Sequence, residues 1–299
     1  MALMIREYLI FSSVSRILCL LNFTLKSQRP SHLERTMIEL YQFEMSSYAE
    51  KVRFILDYKG LEYKKVEVIP AIGQVEVYKM SGQRQVPVLK DDGTVVADST
   101  AIVEYLDRKY SDKPVIPTEG KLRGQVMIME QWADEIFGMN ARKGLLTSMS
   151  QNPSFRSALL PNTTPDLLKN LVIALPSFDF LSGLGAPMGL SADKFKDDIR
   201  QNLSWLCSIL SEQPYLVGDT PTLADFTVAA LSMYIKFPTG TYISAPEAVK
   251  GQGVPGIADN ELYDTFWNWR DKLYSDFRQA GAPIVPSGDP GRPTSISID

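Results

Sequence analysis

The stretch Ile38-Glu-Leu-Tyr-Gln-Phe-Glu-Met-Ser-Ser-Tyr-Ala-Glu-Lys-Val-Arg-Phe-Ile-Leu-Asp-Tyr-Lys-Gly60 changes its apolar period part-way along. From Ile38 to Phe43 apolar and polar residues alternate, as in a half-buried strand. From Tyr48 the spacing turns helical: Tyr48, Val52, Ile55 and Leu56 share one stripe, and Gly60 supplies a natural stop. Tyr63 to Ile69 reads as a second strand. Two strands joined through a helix predict a right-handed, parallel βαβ unit.

Beyond a stretch of unclear period, Val86-Pro-Val-Leu89 and Thr94-Val-Val96 flank Asp91-Asp-Gly93, a hairpin signal. Ser99 then caps a helix predicted to run to about Tyr110. Pro114-Val-Ile-Pro117 forms a stiff linker, and everything after it reads as helix. One long helix is expected over 121–143. A second, Ser191 to Leu210, carries Ile199, Leu203, Leu206 and Leu210 on one face. Thr222 and Asp225 form a capping-box pair that opens a third. Leu262, Phe266, Trp269, Leu273 and Phe277 make the stripe of the last. The expected organisation is a leader or extension over 1–36, an α/β domain over 37–112, a linker over 113–119, an all-helical domain over 120–283 and a disordered Pro/Gly/Ser-rich tail over 284–299. Gly183-Leu-Gly-Ala-Pro-Met-Gly189 lacks a preceding strand and reads as an ordinary connection rather than a nucleotide loop.

Composition narrows the chemistry. The 299 residues are 44% hydrophobic and 22% charged, the balance of a globular protein. A net charge of −4 argues against a nucleic-acid partner. Cys19 and Cys207 lie far apart in no ligand-like spacing, so a disulfide framework, a metal site and a dithiol redox pair are all disfavoured. His32 is the sole histidine and precedes the first strand, which leaves no imidazole for a Ser-His or Cys-His device in the folded body. The apolar run Tyr8 to Leu25 is interrupted by Arg16 and diluted by Ser12, Ser13 and Ser15, so a membrane anchor is disfavoured. A dispensable leader is the favoured reading, organelle targeting the second, and a cytoplasmic location is expected.

Four motifs carry a family resemblance. They are Ser46-Ser-Tyr-Ala-Glu-Lys-Val-Arg-Phe-Ile-Leu56, Gly82-Gln-Arg-Gln-Val-Pro-Val-Leu89, Ala97-Asp-Ser-Thr-Ala-Ile-Val-Glu-Tyr-Leu106 and Val217-Gly-Asp-Thr-Pro-Thr-Leu-Ala-Asp225. A βαβ-ββα unit followed by helices, with these motifs in this order, resembles the glutathione transferase superfamily from about Met37 to Phe277. The likeness weakens between Leu145 and Leu190. It implies a thioredoxin-like domain with a mixed four-stranded sheet, then an all-α helical bundle. It also implies glutathione as co-substrate, small hydrophobic electrophiles or a peroxide as second substrate, detoxification as the role, and a homodimer. The alternative on the same fold is a non-catalytic ligand carrier or interaction module.

The resemblance assigns roles to individual residues. Ser46, five residues before Lys51, falls where Ser-type members carry the catalytic serine. A hydroxyl at a helix start, beside free N–H groups and the positive end of the macrodipole, suits a thiolate. The competing reading is a plain N-cap; Ser47 is the fallback donor. The tyrosine used by other members falls on Gln42, while Tyr41 points to the opposite face. Ser46 and Ala49 occupy the places of a Cys-x-x-Cys pair, which disfavours mixed-disulfide chemistry. Pro87 is cis in the family, so the backbone of Val86 would pair with the cysteinyl part of glutathione, while Gln85 and Arg84 hold the glycyl carboxylate. Asp98 and Ser99 would bind the γ-glutamyl end, with Asp in place of the more usual Glu. Trp132, Phe137 and Met139 are candidates for the apolar wall of a second-substrate site. Residues 144–190 exceed the family's usual connection.

Overall fold

β1 (Ile38–Gln42) is the middle strand of the sheet in the computed structural model, which describes residues 37–68, 73–151, 194–279 and 284–286 and isolated positions between 155 and 174. Its alternation sets the two faces: Leu40 is fully buried on one, and Tyr41 packs with Val66, Val77 and Val88 on the other. β1 runs parallel to β2 (Tyr63–Glu67), with Leu40 opposite Lys65, and antiparallel to β3 (Val88–Asp91), with Leu40 opposite Leu89. β4 (Thr94–Ala97) completes the hairpin, Leu89 opposite Val96. Helix α1 (Ser47–Lys59) links β1 to β2 and ends at Gly60, whose φ of +69° is open to glycine without steric cost.

The thioredoxin-like βαβ-ββα unit and its mixed four-stranded sheet are therefore present, with local differences from expectation. A short helix α2 (Gln74–Ser81) fills the stretch of unclear period; it buries only Val77, too little for a visible stripe. β3 begins at Val88 rather than Val86, since Pro87 has no N–H for the ladder. Helix α3 (Ser99–Lys109) is capped by Asp98, not Ser99: the Asp98 carboxylate accepts the Thr100 and Ala101 N–H groups, both at 3.0 Å. Residues 284–286, expected to open a disordered tail, form β5 (Ile284–Pro286) and pair parallel with β2, Val66 opposite Val285. Among the described residues the sheet thus has five strands in the order β4-β3-β1-β2-β5. The unpaired edge of β2 supplies a ladder that a three-residue strand needs from elsewhere. The expectations for 1–36, 183–189 and 287–299 fall outside the described residues.

The helical half starts with α4 (Gly120–Trp132), which passes through a π-helical turn (Ala133–Phe137) into α5 (Gly138–Gln151), eight residues beyond the expected end at 143. α6 (Lys194–Leu210) buries Ile199, Leu203 and Leu206 as its stripe predicts. α7 (Leu223–Leu231) is buried throughout, and Asp225 accepts both the N–H and the hydroxyl of Thr222 at 2.8 Å. α8 (Asp264–Phe277) carries Phe266 and Leu273 inward, whereas Leu262 lies before the helix and is 77% exposed. Among the described residues no helix is long and apolar enough to cross a membrane.

The linker does not separate two cores. Phe54 on α1 meets Phe226 on α7 at 5.6 Å and Tyr274 on α8 at 4.6 Å between ring centroids. One apolar cluster runs from Leu40 and Leu89 to Ala230 and Leu273. Helix α1 is buried on both sides, between sheet and bundle. Its charged residues Glu50, Lys51 and Arg53 are consequently fully buried. They are paired there: Arg53 Nε lies 2.6 Å from Glu50, and Arg278, following α8, bonds Glu50 at 2.8 Å and also Asp57. Such burial is tolerable only with this pairing, because an isolated buried charge is far costlier than a matched one.

Candidate active site

The turn from β1 into α1 places Ser46 at the helix start in extended conformation, φ −79° and ψ 119°. Its Oγ accepts the Ala49 N–H at 3.2 Å, so the N-cap reading is correct as far as it goes. A hydroxyl has two lone pairs and one hydrogen. The cap uses a lone pair, and among the described residues nothing accepts the hydrogen. Ser46 lines a cleft of about 600 Å³ between the two halves of the protein. Ser47 does not line it: that residue is 1% exposed, and its N–H points to the Tyr234 hydroxyl at 3.3 Å.

The same cleft receives Arg84, Gln85, Val86, Pro87, Asp98 and Ser99. The Val86–Pro87 peptide is cis, and the Val86 backbone makes no hydrogen bond among the described residues, leaving its N–H and C=O for a bound chain. Asp98 has φ +78°, a left-handed value that non-glycine residues adopt at a cost. This conformation turns its carboxylate into the α3 cap while the residue stays exposed at the cleft. Ser99 is 3% exposed; its Oγ accepts from Lys51 Nζ at 3.3 Å. The Arg84 guanidinium lies 5.8 Å from the Tyr78 ring centroid. All the candidates named for the glutathione-like half of the site, Ser47 apart, are brought together.

The opposite wall departs from expectation. Phe137 is fully buried in the helical core, stacked on Trp132 at 5.6 Å. Met139 is 48% exposed and outside the cleft lining, and Trp132 faces a separate groove between α4 and α6. The π turn is the reason: one extra residue rotates the helix so that Asp134 and Glu135 face the cleft and Phe137 turns inward. Phe43, Tyr48, Arg142 and Tyr234 complete that wall. A local insertion of this kind leaves no mark on apolar spacing, so the turning of Asp134 and Glu135 toward the cleft has no signal in the sequence.

Electrostatics separates the hydroxyls. Burial pushes the phenols of Tyr48 and Tyr234 up, and each gives its hydrogen to a backbone carbonyl: Tyr48 to Asp134 at 3.1 Å, Tyr234 to Met45 at 2.7 Å. Tyr41, pushed up to about 12 by burial and by Glu39, bonds Glu39 outside the cleft. Gln42, at the tyrosine position of other members, is buried among Glu44, Glu67 and Arg53. Burial raises the Asp134 carboxyl against the opposing pull of Lys51. Ser46 and Ser99 are thus the cleft serines whose hydroxyl hydrogens meet no acceptor among the described residues, and Ser46 is the one at the start of α1.

A thioredoxin-like sheet, a cis-proline before β3, an Asp-Ser helix start and a helical second half together make up a fold of the glutathione-transferase type. Residues 40–114 match the glutathione S-transferase N-terminal domain family. That segment, β1 through the linker, is about a quarter of the chain, and the glutathione transferase superfamily is what the chain as a whole is similar to. Prostaglandin E synthase 2 of Danio rerio is 28% identical over 239 residues, 64% of this chain and 62% of its own. Glutathione S-transferase 1 of Dianthus caryophyllus is 38% identical over 92 residues, 30% of this chain and 42% of that one. The chain therefore spans less than two thirds of the length of these curated relatives. Among solved structures, the β-etherase LigF of Sphingobium superposes with a TM-score of 0.57 at 24% identity, over 80% of this chain and 96% of that one, a likeness of fold.

Proposed function

We propose that the cleft binds glutathione and that Ser46 activates its thiol for attack on an electrophile. The observation that carries this reading is the free hydrogen of Ser46, held at a helix start in the same cleft as the cis-proline and the Asp98-Ser99 turn. The Val86 backbone would pair with the cysteinyl unit as one antiparallel rung. Ser99 and Asp98 would hold the γ-glutamyl end, and Gln85 and Arg84 the glycyl carboxylate. The sulfur then lies at the N-terminus of α1, where the helix dipole and the Ser46 hydrogen bond both favour thiolate. A charge-assisted hydrogen bond contributes roughly 1.5–3 kcal/mol, enough to lower a thiol pKa by about one to two.

The thiol proton leaves to water and the thiolate forms a carbon–sulfur bond, either by displacement, in which the leaving group departs with the electron pair of its broken bond, or by addition to a carbon–carbon double bond, in which the carbanion formed takes a proton from water. The electrophile would rest against Phe43, Tyr48 and Tyr234, near Arg142 and Glu135. That wall mixes aromatic and charged groups, so the hydrophobic electrophile expected from the resemblance becomes an aromatic one with polar substituents. A homodimer and a cytoplasmic location belong to the same proposal.

Titration of the thiolate's ultraviolet absorbance in the glutathione complex tests the reading. The native chain should show a bound-thiol pKa below the free value, and Ser46→Ala should return it toward about 8.5. Glutathione bound with an unperturbed thiol in the native chain would leave the non-catalytic carrier as the correct description.

A further inference from the structure

Ser46 is held from outside its own domain. Tyr234 ends the 3₁₀ turn Ser232–Tyr234 that follows α7, in the helical half. Its hydroxyl donates to the Met45 carbonyl at 2.7 Å and accepts the Ser47 N–H at 3.3 Å. These are the peptide groups on either side of Ser46. The Ser47 N–H is one of the first-turn donors that an α-helix leaves without an internal partner. The Met45 carbonyl belongs to the turn that delivers the chain to the helix. One phenol thus spans the residue, and the Ser46 N–H is tied inward to the Phe43 carbonyl at 2.8 Å.

The far end of this strut is itself fixed. Ser232 Oγ bonds the Ala229 carbonyl at 2.7 Å, and the next residues bridge to Gly253 through Lys236. Arg270, fully buried on α8, donates to the Lys236 carbonyl. The ring of Tyr234 lines the cleft, but its hydroxyl is committed to backbone on both sides, so it has no hydrogen for a substrate.

We propose that Tyr234 is a positioning residue for Ser46: it sets the backbone on both sides of the serine, so that the helical half determines where the hydroxyl of the thioredoxin-like half points. This inference rests on the reading of Ser46 as the thiol-activating group. Rotation about the 45–46 and 46–47 peptides would swing Oγ while leaving the Val86 rung and the Asp98-Ser99 turn untouched. Loss of the strut should therefore affect the sulfur more than the binding of the peptide.

Tyr234→Phe removes the hydroxyl and keeps the ring. The expected result is S-methylglutathione affinity within about twofold of native, together with a bound-glutathione pKa raised enough to cut the thiolate fraction at neutral pH roughly tenfold. Adding Tyr234→Phe to Ser46→Ala should change the pKa no further, since both act on one hydrogen bond. If Ser46→Ala raises the pKa and Tyr234→Phe does not, the positioning role is overturned while the Ser46 reading stands. If Ser46→Ala leaves the pKa unchanged, the reading beneath both falls. Should Tyr234→Phe fail to fold, the native chain crystallised with glutathione decides: sulfur bonded to Ser46 Oγ with both Tyr234 bonds intact supports the role, and either Tyr234 bond broken in that complex overturns it.

Discussion

Lys51 Nζ on α1 lies 2.5 Å from Glu130 Oε1 on α4, and both side chains are almost wholly withdrawn from solvent. The same ammonium reaches Thr100 Oγ1 at 2.9 Å and Ser99 Oγ at 3.3 Å. The pair therefore joins the two halves directly beneath the start of α3, where the γ-glutamyl end of the ligand is proposed to bind.

Lys51→Met should destabilise the protein by roughly 3–5 kcal/mol, because it strands the buried carboxylate of Glu130. Lys51→Met with Glu130→Leu should cost less than the single change, since the buried Glu130 charge is gone and only the partly exposed Asp134 loses a cation. Urea unfolding of the two variants checks the order.

Arg278 makes the corresponding prediction at the other end of α1. It bonds Glu50 and Asp57, and its guanidinium also donates to the Tyr242 carbonyl at 2.9 Å. Arg278→Leu takes one of two arginine partners from buried Glu50 and leaves buried Asp57 with the Gln279 N–H alone, and a loss of roughly 3–5 kcal/mol is expected. Limited proteolysis should show early cleavage between α8 and β5, because this residue anchors the chain just before the edge strand.

Acid sensitivity should come in part from Glu44. Burial raises its carboxyl, but Arg53, Lys65 and the Ser244 N–H outweigh that and hold it at about 2, against an ordinary 4.5. A depressed folded-state pKa contributes stability above the unfolded value, and that contribution disappears as pH falls from about 4.5 to about 2. Across that window the native chain should lose up to about 1.4 kcal/mol per pH unit more than Glu44→Gln does. Parallel stability-versus-pH curves for the two proteins would exclude the assignment.

Asp98 combines an unfavourable φ with a capping carboxylate and a place in the cleft. Asp98→Gly relieves the backbone cost, about 1 kcal/mol or more, and loses a cap of roughly 0.5–2 kcal/mol. The melting temperature should change little, while affinity for glutathione falls. Calorimetric binding together with thermal unfolding separates the two effects; unchanged affinity would remove Asp98 from the ligand site.

Much of this architecture was legible in the residues. The alternation of 38–43, the stripe from Tyr48, Gly60 as a stop and the Thr222/Asp225 pair all act through the backbone within a few positions, and each lies where its pattern put it. The cleft side formed by Ser46, Arg84 to Pro87 and Asp98-Ser99 was legible through the family resemblance of the motifs that carry it, not through spacing. The opposite wall was not. Phe137 and Met139 were assigned by apolar character, but a π turn reassigns faces without altering composition.

What the sequence determined by itself is the set of local commitments: strand, helix, stop, cap, and a hydroxyl at a helix start. Only the tertiary structure decided that α1 is enclosed on both sides, so that Glu50, Lys51 and Arg53, which look like a solvated face, are interior. Their partners cannot be found by spacing, since Arg278 meets Glu50 across 228 positions and Tyr234 meets Ser47 across 187. A helical stripe marks one buried face because apolar side chains must leave water. A second face buried through paired charges carries no such mark, as its free energy comes from partners that the fold alone brings together.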